Sequence, residues 1–157
     1  MRRIASSALR SVEFKYRRVG PELRCSYCGD TGDTIDHAVP RSHVREHIRA
    51  YRRNWFPKVA ACAECNSLLG DQVDATFHER KRRVADCLRA RYAKVLLAGG
   101  WDETELVELG YSLRHSIEAA MYAGRRAASR IAFASIGATA DVPDDLFGLF
   151  TSQDDAE

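Results

Sequence analysis

Four cysteines are arranged in two pairs whose spacing is typical of a metal site. The pairs are Cys25-x-x-Cys28 and Cys62-x-x-Cys65, and a long stretch from Gly29 to Ala61 separates them. Each pair can turn the backbone so that two thiolates face one ion, and four thiolates complete the tetrahedral shell of a structural zinc. Because no secretory segment is recognisable, we expect a reducing compartment, which disfavours disulfides. The sequence therefore predicts a structural Zn²⁺ site, with free or redox-active cysteines as the alternative.

An acid and a histidine stand side by side between the two cysteine pairs. They are Asp36 and His37, and Asn66 directly follows the second pair. An isolated Asp-His dipeptide is usually structural, with the carboxylate accepting a backbone donor and the imidazole packing. Its position between two zinc-binding pairs favours a functional role instead. Because side chains alternate along a strand, we expect His37 on the opposite face from Asp36.

The order of these motifs is Cys-x-x-Cys, Asp-His-x-x-Pro-x-Ser and Cys-x-x-Cys-Asn, and it resembles the zinc-stapled branch of the HNH endonucleases. The similar region spans residues 24 to about 71, and the later "LLGD" and the helical C-terminal half resemble HNH proteins of bacteriophages. The resemblance implies a ββα-metal core that hydrolyses DNA phosphodiester bonds, by nicking or by double-strand cleavage, in the cytoplasm of a bacterium or phage-infected host. It implies DNA as a partner, and a phage packaging or other DNA-processing protein as a further candidate.

The same resemblance implies a role for each site residue. Asp36 and Asn66 occupy the slots of the catalytic metal ligands, and their oxygen atoms suit Mg²⁺ or Mn²⁺. His37 occupies the slot of the general base, and an ordinary histidine pKa of about 6.5 suits that role near neutral pH. The middle Asn of the family would fall at Pro57, so the slightly earlier Asn54 is the nearest candidate to orient His37. A helix C-cap is the alternative role for Asn54.

The sequence is also compatible with two other functions. His43-x-x-Glu46-His47 matches the inverted zinc-metallopeptidase pattern, in which two helical histidines bind zinc and the glutamate is the base. Such a short match arises easily by chance in a charged helix. The second alternative is a zinc-stapled nucleic-acid-binding or assembly adaptor without catalysis, which a displaced middle Asn would favour.

Basic residues are concentrated in the first part of the chain. Residues 1–58 carry 13 Lys/Arg and 6 Asp/Glu, whereas residues 98–157 carry 4 and 11. This asymmetry indicates that the first part meets a polyanion, with two solvated faces as the alternative. The candidate phosphate contacts are basic side chains on two predicted helices, namely Arg41, Arg45, Arg49, Arg80 and Lys81.

The elements that position these residues are predicted from turn signals and hydrophobic spacing. A short hairpin should follow the first cysteine pair, with Thr34 and Ile35 in its second strand. Two capping boxes, Thr76 with Glu79 and Asp102 with Glu105, mark helix starts. Helices are expected from Ser42 to about Arg53, from the second cysteine pair to Gly70, from Thr76 to Gly99, from Asp102 over a short stretch, and from about Leu113 to Ala134.

The predicted fold class is α+β, with a small ββα-metal core and structural zinc extended by several α-helices. Residues 1–20 are expected to form a basic arm, 21–75 the nuclease core, 76–140 a helical extension packed on it, and 141–157 an acidic flexible tail. No apolar run approaches the roughly 18 residues that a membrane span needs, so no membrane association is expected. The small-residue face of the last helix is predicted to pack on the core or on a second copy, and the oligomeric state stays open.

Overall fold

The fold is α+β, as the sequence predicts, and combines a three-stranded sheet with a layer of helices. The computed structural model describes residues 13–51, 53–97 and 100–148. No helix within these ranges is both long enough and apolar enough to cross a bilayer. The elements are β1 (Lys15–Arg18), β2 (Thr34–His37), α1 (Arg41–His47) with a 3₁₀ turn at Ile48–Ala50, β3 (Trp55–Ala61), α2 (Ala63–Leu69), α3 (Phe77–Leu97), α4 (Glu103–Val107) and α5 (Tyr111–Ser135).

Strand β3 lies at the centre of the sheet, between β1 and β2. It pairs antiparallel with β2 and parallel with β1. The prediction of a hairpin after the first cysteine pair was therefore wrong. Strand β2 pairs with β3, which follows only after α1 and the 3₁₀ turn. The pairing is explained by burial: Val59 and Ala61 of β3 have no exposed surface and give β2 an apolar partner.

Helix α1 is shorter than the sequence predicts. It begins at Arg41 after Pro40 and ends at His47, whereas a helix capped by Ser42 and extending to Arg53 was expected. Proline suits the position before the first turn because its fixed φ is compatible with helix entry. The chain leaves the helical conformation at Tyr51, whose ring stacks on Phe147 with the centroids 5.2 Å apart.

The other helices begin and end close to the predicted residues. Helix α2 ends before Gly70, which has a positive φ of 48°. The first capping box forms at α3, since the Glu79 amide donates to Thr76 Oγ1 and the Thr76 amide donates to Glu79 Oε2. The second box, between Asp102 and Glu105, starts α4. These ends depend on side chains that are close in sequence, which local patterns specify well.

The small-residue face of α5 packs on α3. Its buried residues include Gly124, Ala127 and Ala134. A Cβ atom added to Gly124 would lie 2.8 Å from the carbonyl oxygen of Val95, so the two helix backbones approach closely there. Of the two packing partners predicted for this face, the core of the same chain is the one that the structure supports.

Segments expected to be an arm and a tail contribute to the folded core. Strand β1 lies inside the predicted arm 1–20, and its Lys15 amide donates to the carbonyl of Asn54. In the predicted tail 141–157, Leu146 is fully buried and its amide donates to the carbonyl of Ala75. The predicted end of the arm at residue 20 and the predicted start of the tail at residue 141 are thus wrong for the described residues. In both cases a short segment packs against residues that are distant in sequence. Residues 1–12 and 149–157 lie outside the described residues.

Candidate metal centre and adjacent cleft

The four predicted cysteines come together as one cluster. The Sγ atoms of Cys25, Cys28, Cys62 and Cys65 all lie within 4.8 Å of one another. Those of Cys28 and Cys62 are 3.8 Å apart, which matches the edge of about 3.8 Å of a tetrahedron with Zn–S bonds of about 2.3 Å. None of the described cysteines forms a disulfide. The cluster is therefore compatible with a bound zinc ion.

Two different local structures bring the sulfurs to this point. The first pair lies on a tight turn in which the Gly29 amide donates to the Cys25 carbonyl. The second pair lies at the junction of β3 and α2, where Cys62 Sγ accepts a hydrogen bond from the Cys65 amide. Because this amide is at the N-terminus of a helix, it stabilises negative charge on the sulfur.

A buried arginine from α5, which was not among the predicted site residues, contacts the cluster. The guanidinium of Arg130 donates to Cys28 Sγ at 3.4 Å and to Cys62 Sγ at 3.6 Å, and lies 3.9 Å from Cys65 Sγ. Glu64 holds the same guanidinium through an ion pair. Four thiolates with one Zn²⁺ carry a charge of −2, so a cation at this position is favourable. No local pattern marks Arg130, because it is remote from both cysteine pairs in sequence.

Hydrogen bonds among the four cysteines split their pKa values. The pKa values of Cys25 and Cys65 are raised, first by hydrogen bonds to the neighbouring cysteines, whereas those of Cys28 and Cys62 are lowered. The pKa of Cys28 is lowered to about 7, first by a hydrogen bond from the Cys25 thiol and further by the Arg130 guanidinium. The pKa of Cys62 is also lowered, through hydrogen bonds from the other three cysteines. Since a metal binds the thiolate form, Cys28 and Cys62 are the two thiols that lose their protons most readily to an incoming ion.

Asp36 projects into the protein interior rather than into open solvent. Its relative exposure is 4%, and both of its oxygens accept hydrogen bonds from the guanidinium of Arg80 at 3.1–3.2 Å. The Tyr27 hydroxyl donates a further short hydrogen bond to Oδ2. Burial, and then the Asp36 charge, raise the pKa of Tyr27 well above its usual value, so this hydroxyl stays protonated. Asp36 is thus a charge-paired carboxylate, and its Oδ1 accepts a single hydrogen bond among the described residues.

Two of the basic residues predicted to contact phosphates are buried, and that prediction was wrong for both. Arg80 has no exposed surface and also donates to the Gln72 carbonyl at 2.7 Å. Lys81 is 1% exposed and donates to Thr139 Oγ1 at 3.0 Å. Both lie on the face of α3 that packs against the core, where a cation must find internal partners. Arg41, Arg45 and Arg49 are exposed, as the prediction requires.

His37 lies on the opposite face of the sheet from Asp36, as strand alternation predicts. Its ring packs edge-on against Tyr16, with the centroids 4.4 Å apart. Burial, and then the charge of Arg41, lower the pKa of His37 below its usual value. The imidazole is therefore neutral at neutral pH and has a lone pair that can accept a proton.

One cleft joins the three residues singled out by the resemblance. Asp36, His37 and Asn66 all line an opening of about 460 Å³, together with Arg41 and Asp71. The amide nitrogen of Asn66 donates to Thr34 Oγ1 at 3.2 Å, and its side-chain oxygen has no hydrogen-bond partner in the described part of the chain. Asp71 was not predicted as a site residue, although it belongs to the "LLGD" stretch that contributed to the resemblance.

Asn54 is not part of this cleft, so its predicted role as the residue that orients His37 was wrong. Its side chain is exposed in the bend before β3, and its carbonyl accepts the hydrogen bond from Lys15 that begins the pairing of β1. Strand β3 begins directly afterwards at Trp55, so Asn54 lies four residues before Lys58, the residue that pairs with His37.

The metallopeptidase pattern on α1 does not assemble a metal site. The rings of His43 and His47 stack with their centroids 4.3 Å apart, and His47 Nδ1 contacts the carbonyl of His43. Among the described residues, the cysteine cluster is the only group of three or more potential metal ligands. Glu46 is exposed on the same short helix.

No model of a known protein family matches this chain, and no solved structure matches its fold.

Proposed function

We propose that this chain is an HNH-type endonuclease that hydrolyses DNA phosphodiester bonds with a divalent metal ion. The observation that supports this proposal most strongly is the shared cleft. Asp36 and His37 are adjacent in sequence, whereas Asn66 belongs to a helix beyond the next strand, yet all three line one opening. The exposed Arg41 at the rim adds a positive charge that suits a phosphate backbone.

His37 is the proposed general base. Its lowered pKa leaves it unprotonated at neutral pH, so that it can take a proton from the water that attacks phosphorus. The ring is held in place by Tyr16, whose hydroxyl donates to the Val39 carbonyl at 2.6 Å. This packing does the orienting that the family would assign to its middle Asn.

The oxygen donors of the cleft fit a hydrated hard cation such as Mg²⁺ or Mn²⁺. Asp36 Oδ1 and the unpartnered side-chain oxygen of Asn66 would hold the ion, and the nearby Asp71 carboxylate would add negative charge. Such an ion stabilises the charge that develops on the phosphate and leaving oxygens. Arg80 would share the Asp36 carboxylate with the ion and keep it oriented. The zinc at the cysteine cluster would be structural.

A plasmid assay tests the proposal. Purified protein is incubated with supercoiled DNA and either Mg²⁺ or Mn²⁺. Omission of the divalent ion is the negative control, because a chelator would also remove zinc from the cysteine cluster. We expect nicked or linear product from the wild type and none from the His37→Ala variant. His115→Ala is the matched control, since His115 is exposed on α5, and it should cut like the wild type. Cleavage by His37→Ala at the wild-type rate would contradict the proposal.

A non-catalytic nucleic-acid-binding adaptor is the second candidate, and one observation favours it. The charge of Asp36 is already neutralised by Arg80, which weakens its attraction for a cation. In this case the protein would bind the plasmid but leave it supercoiled under every metal condition. A gel-shift assay beside the cleavage assay separates the two functions.

A further inference from the structure

A row of basic side chains crosses the sheet next to His37. In the pairing of the strands, Arg18 of β1 is opposite Lys58 of β3, and Lys58 is opposite His37 of β2. Residues that are directly opposite in a sheet project from the same face. The three side chains therefore stand side by side on the face away from Asp36. We call Arg18 and Lys58 the basic row.

Sheet geometry sets the distances within this row. Neighbouring strands lie about 4.8 Å apart, so the backbone of Lys58 lies about 5 Å from that of His37, and that of Arg18 about 10 Å. Arg41 approaches His37 as well, since its charge contributes to the lowered pKa of the imidazole. A molecule that contacts His37 would thus meet cations from the sheet and from α1.

The basic row has no acidic partner in the described part of the chain. Arg18 is exposed and donates only to the backbone carbonyl of Glu22, and neither Arg18 nor Lys58 forms an ion pair there. Like charges directly opposite in a sheet are destabilising. Most other arginines whose side chains make contacts are neutralised by Asp or Glu, as Arg80, Arg126 and Arg130 are. The row is therefore an unfavourable arrangement that an external anion would relieve.

We propose that Lys58 and Arg18 bind successive backbone phosphates of the nucleic acid, with Lys58 contacting the phosphate presented to His37. This proposal rests on the proposed function for the nature of the anion. An ammonium group supplies a point charge, whereas a guanidinium can bind a phosphate through two parallel hydrogen bonds. The contacts involve no base edges, so they place the strand without selecting its sequence.

Binding of a fluorescently labelled DNA duplex tests the basic row without any need for cleavage. Anisotropy titrations in buffer without Mg²⁺ or Mn²⁺ and without a chelator, so that zinc stays at the cysteine cluster, compare the wild type with Lys58→Gln and Arg18→Gln at several salt concentrations. Each variant should bind several-fold more weakly, and each should reduce the slope of log K against log salt by about 1. Lys94→Gln and Arg125→Gln are matched controls, because both residues are exposed on the helical layer, and they should leave the slope unchanged. Lys58→Arg should restore most of the affinity, which separates lost charge from misfolding.

The outcomes distinguish this proposal from the proposed nuclease activity. If the row variants bind DNA with the wild-type slope while the wild type cuts plasmid, the basic row is overturned and the nuclease stands. If the row variants lose affinity but the wild type never cuts, the phosphate contacts are supported and the catalytic proposal fails. A wild type that neither binds nor cuts DNA overturns both.

Discussion

At the scale of single residues, two buried arginines connect the helical layer to the two candidate sites. Arg80 of α3 pairs with Asp36 beside the cleft, and Arg130 of α5 contacts three of the four cysteine sulfurs. Both guanidinium groups already have ion-pair and hydrogen-bond partners inside the protein. Each acts by fixing the charge and orientation of another residue, which is the common role of the groups around a metal site.

Removing Arg80 should destabilise the fold through Asp36. The Arg80→Met variant keeps most of the side-chain volume but leaves a buried carboxylate without its cation, and we expect a loss of about 3–5 kcal/mol in the free energy of unfolding. Urea denaturation measures this loss of stability. The double variant Arg80→Met with Asp36→Asn should recover part of the loss, and Arg82→Met, on the exposed face of α3, should change little. Equal stability of Arg80→Met and the wild type would show that the ion pair contributes nothing.

Removing Arg130 should weaken metal binding. The Arg130→Ala variant loses the hydrogen bonds to the thiolates, so we expect its zinc affinity to fall about 10- to 100-fold. Competition with a chromophoric chelator gives the affinity. The control is Arg125→Ala, which is exposed on the same helix. If both variants retain zinc equally well, the contact of Arg130 with the sulfurs has no role in metal binding.

At the scale of secondary-structure elements, the close approach of α3 and α5 places Arg130 of α5 near Tyr92 of α3 and beside the cysteine cluster. Gly124 permits this approach, since its missing side chain leaves room for the Val95 carbonyl. Helix spacing of this kind is set by residue volumes at the contact and tolerates little change. The interface thus helps to position Arg130.

A Gly124→Ala change should lower stability, although alanine is ordinarily favoured over glycine inside a helix by about 1 kcal/mol. The added Cβ would meet the Val95 oxygen at 2.8 Å and force the helices apart. Thermal unfolding followed by circular dichroism measures the effect. Gly110→Ala is the steric control, because a Cβ at Gly110 has no neighbour within 4 Å. Gly110 is the N-cap of α5, where glycine is preferred over alanine, so this variant should lose only about 0.5–1 kcal/mol. A higher melting temperature for Gly124→Ala would refute the tight contact.

Local signals predicted some elements well, and long-range contacts account for the errors. The capping pair of Thr76 and Glu79 and the two cysteine pairs involve residues a few positions apart, and they were predicted with their partners. Strand β3 was not predicted, and it contains Pro57, a residue that normally argues against a central strand. The pairing of Asp36 with Arg80 joins two distant parts of the chain, and sequence spacing carries no information about such a contact. The cleft residues were predicted through their resemblance to a family, and their catalytic roles stay predictions.

At the scale of the whole molecule, the cysteine cluster lies where sheet and helices meet. Its ligands come from the turn before β2 and from the junction of β3 with α2, and Arg130 adds α5. Three of the four cysteines are buried in the core cluster. An ion at this point would therefore connect all layers of the fold.

Removal of zinc should lower the stability of the entire molecule rather than of one loop. We expect a chelator to reduce the free energy of unfolding by several kcal/mol, because a metal that binds only the folded state adds its binding energy to folding. Circular dichroism reports the helices. In a Trp101→Phe background, tryptophan fluorescence reports the sheet through Trp55, and the unfolding midpoints from the two signals should fall together. The Cys87→Ser variant, outside the cluster, should keep the wild-type metal content. A fluorescence change with the helical signal intact would indicate a local site.

The pairing of Asp36 with Arg80 also limits which fragment of the protein could carry the cleft into another protein. The segment 21–75 contains every residue that lines the cleft, whereas the guanidinium that neutralises its carboxylate belongs to α3. An excised fragment, or a chimaera built on it, would therefore leave an orphan anion in an apolar environment. The charge balance of the cleft therefore depends on α3, and any minimal engineered version must include the first turn of this helix.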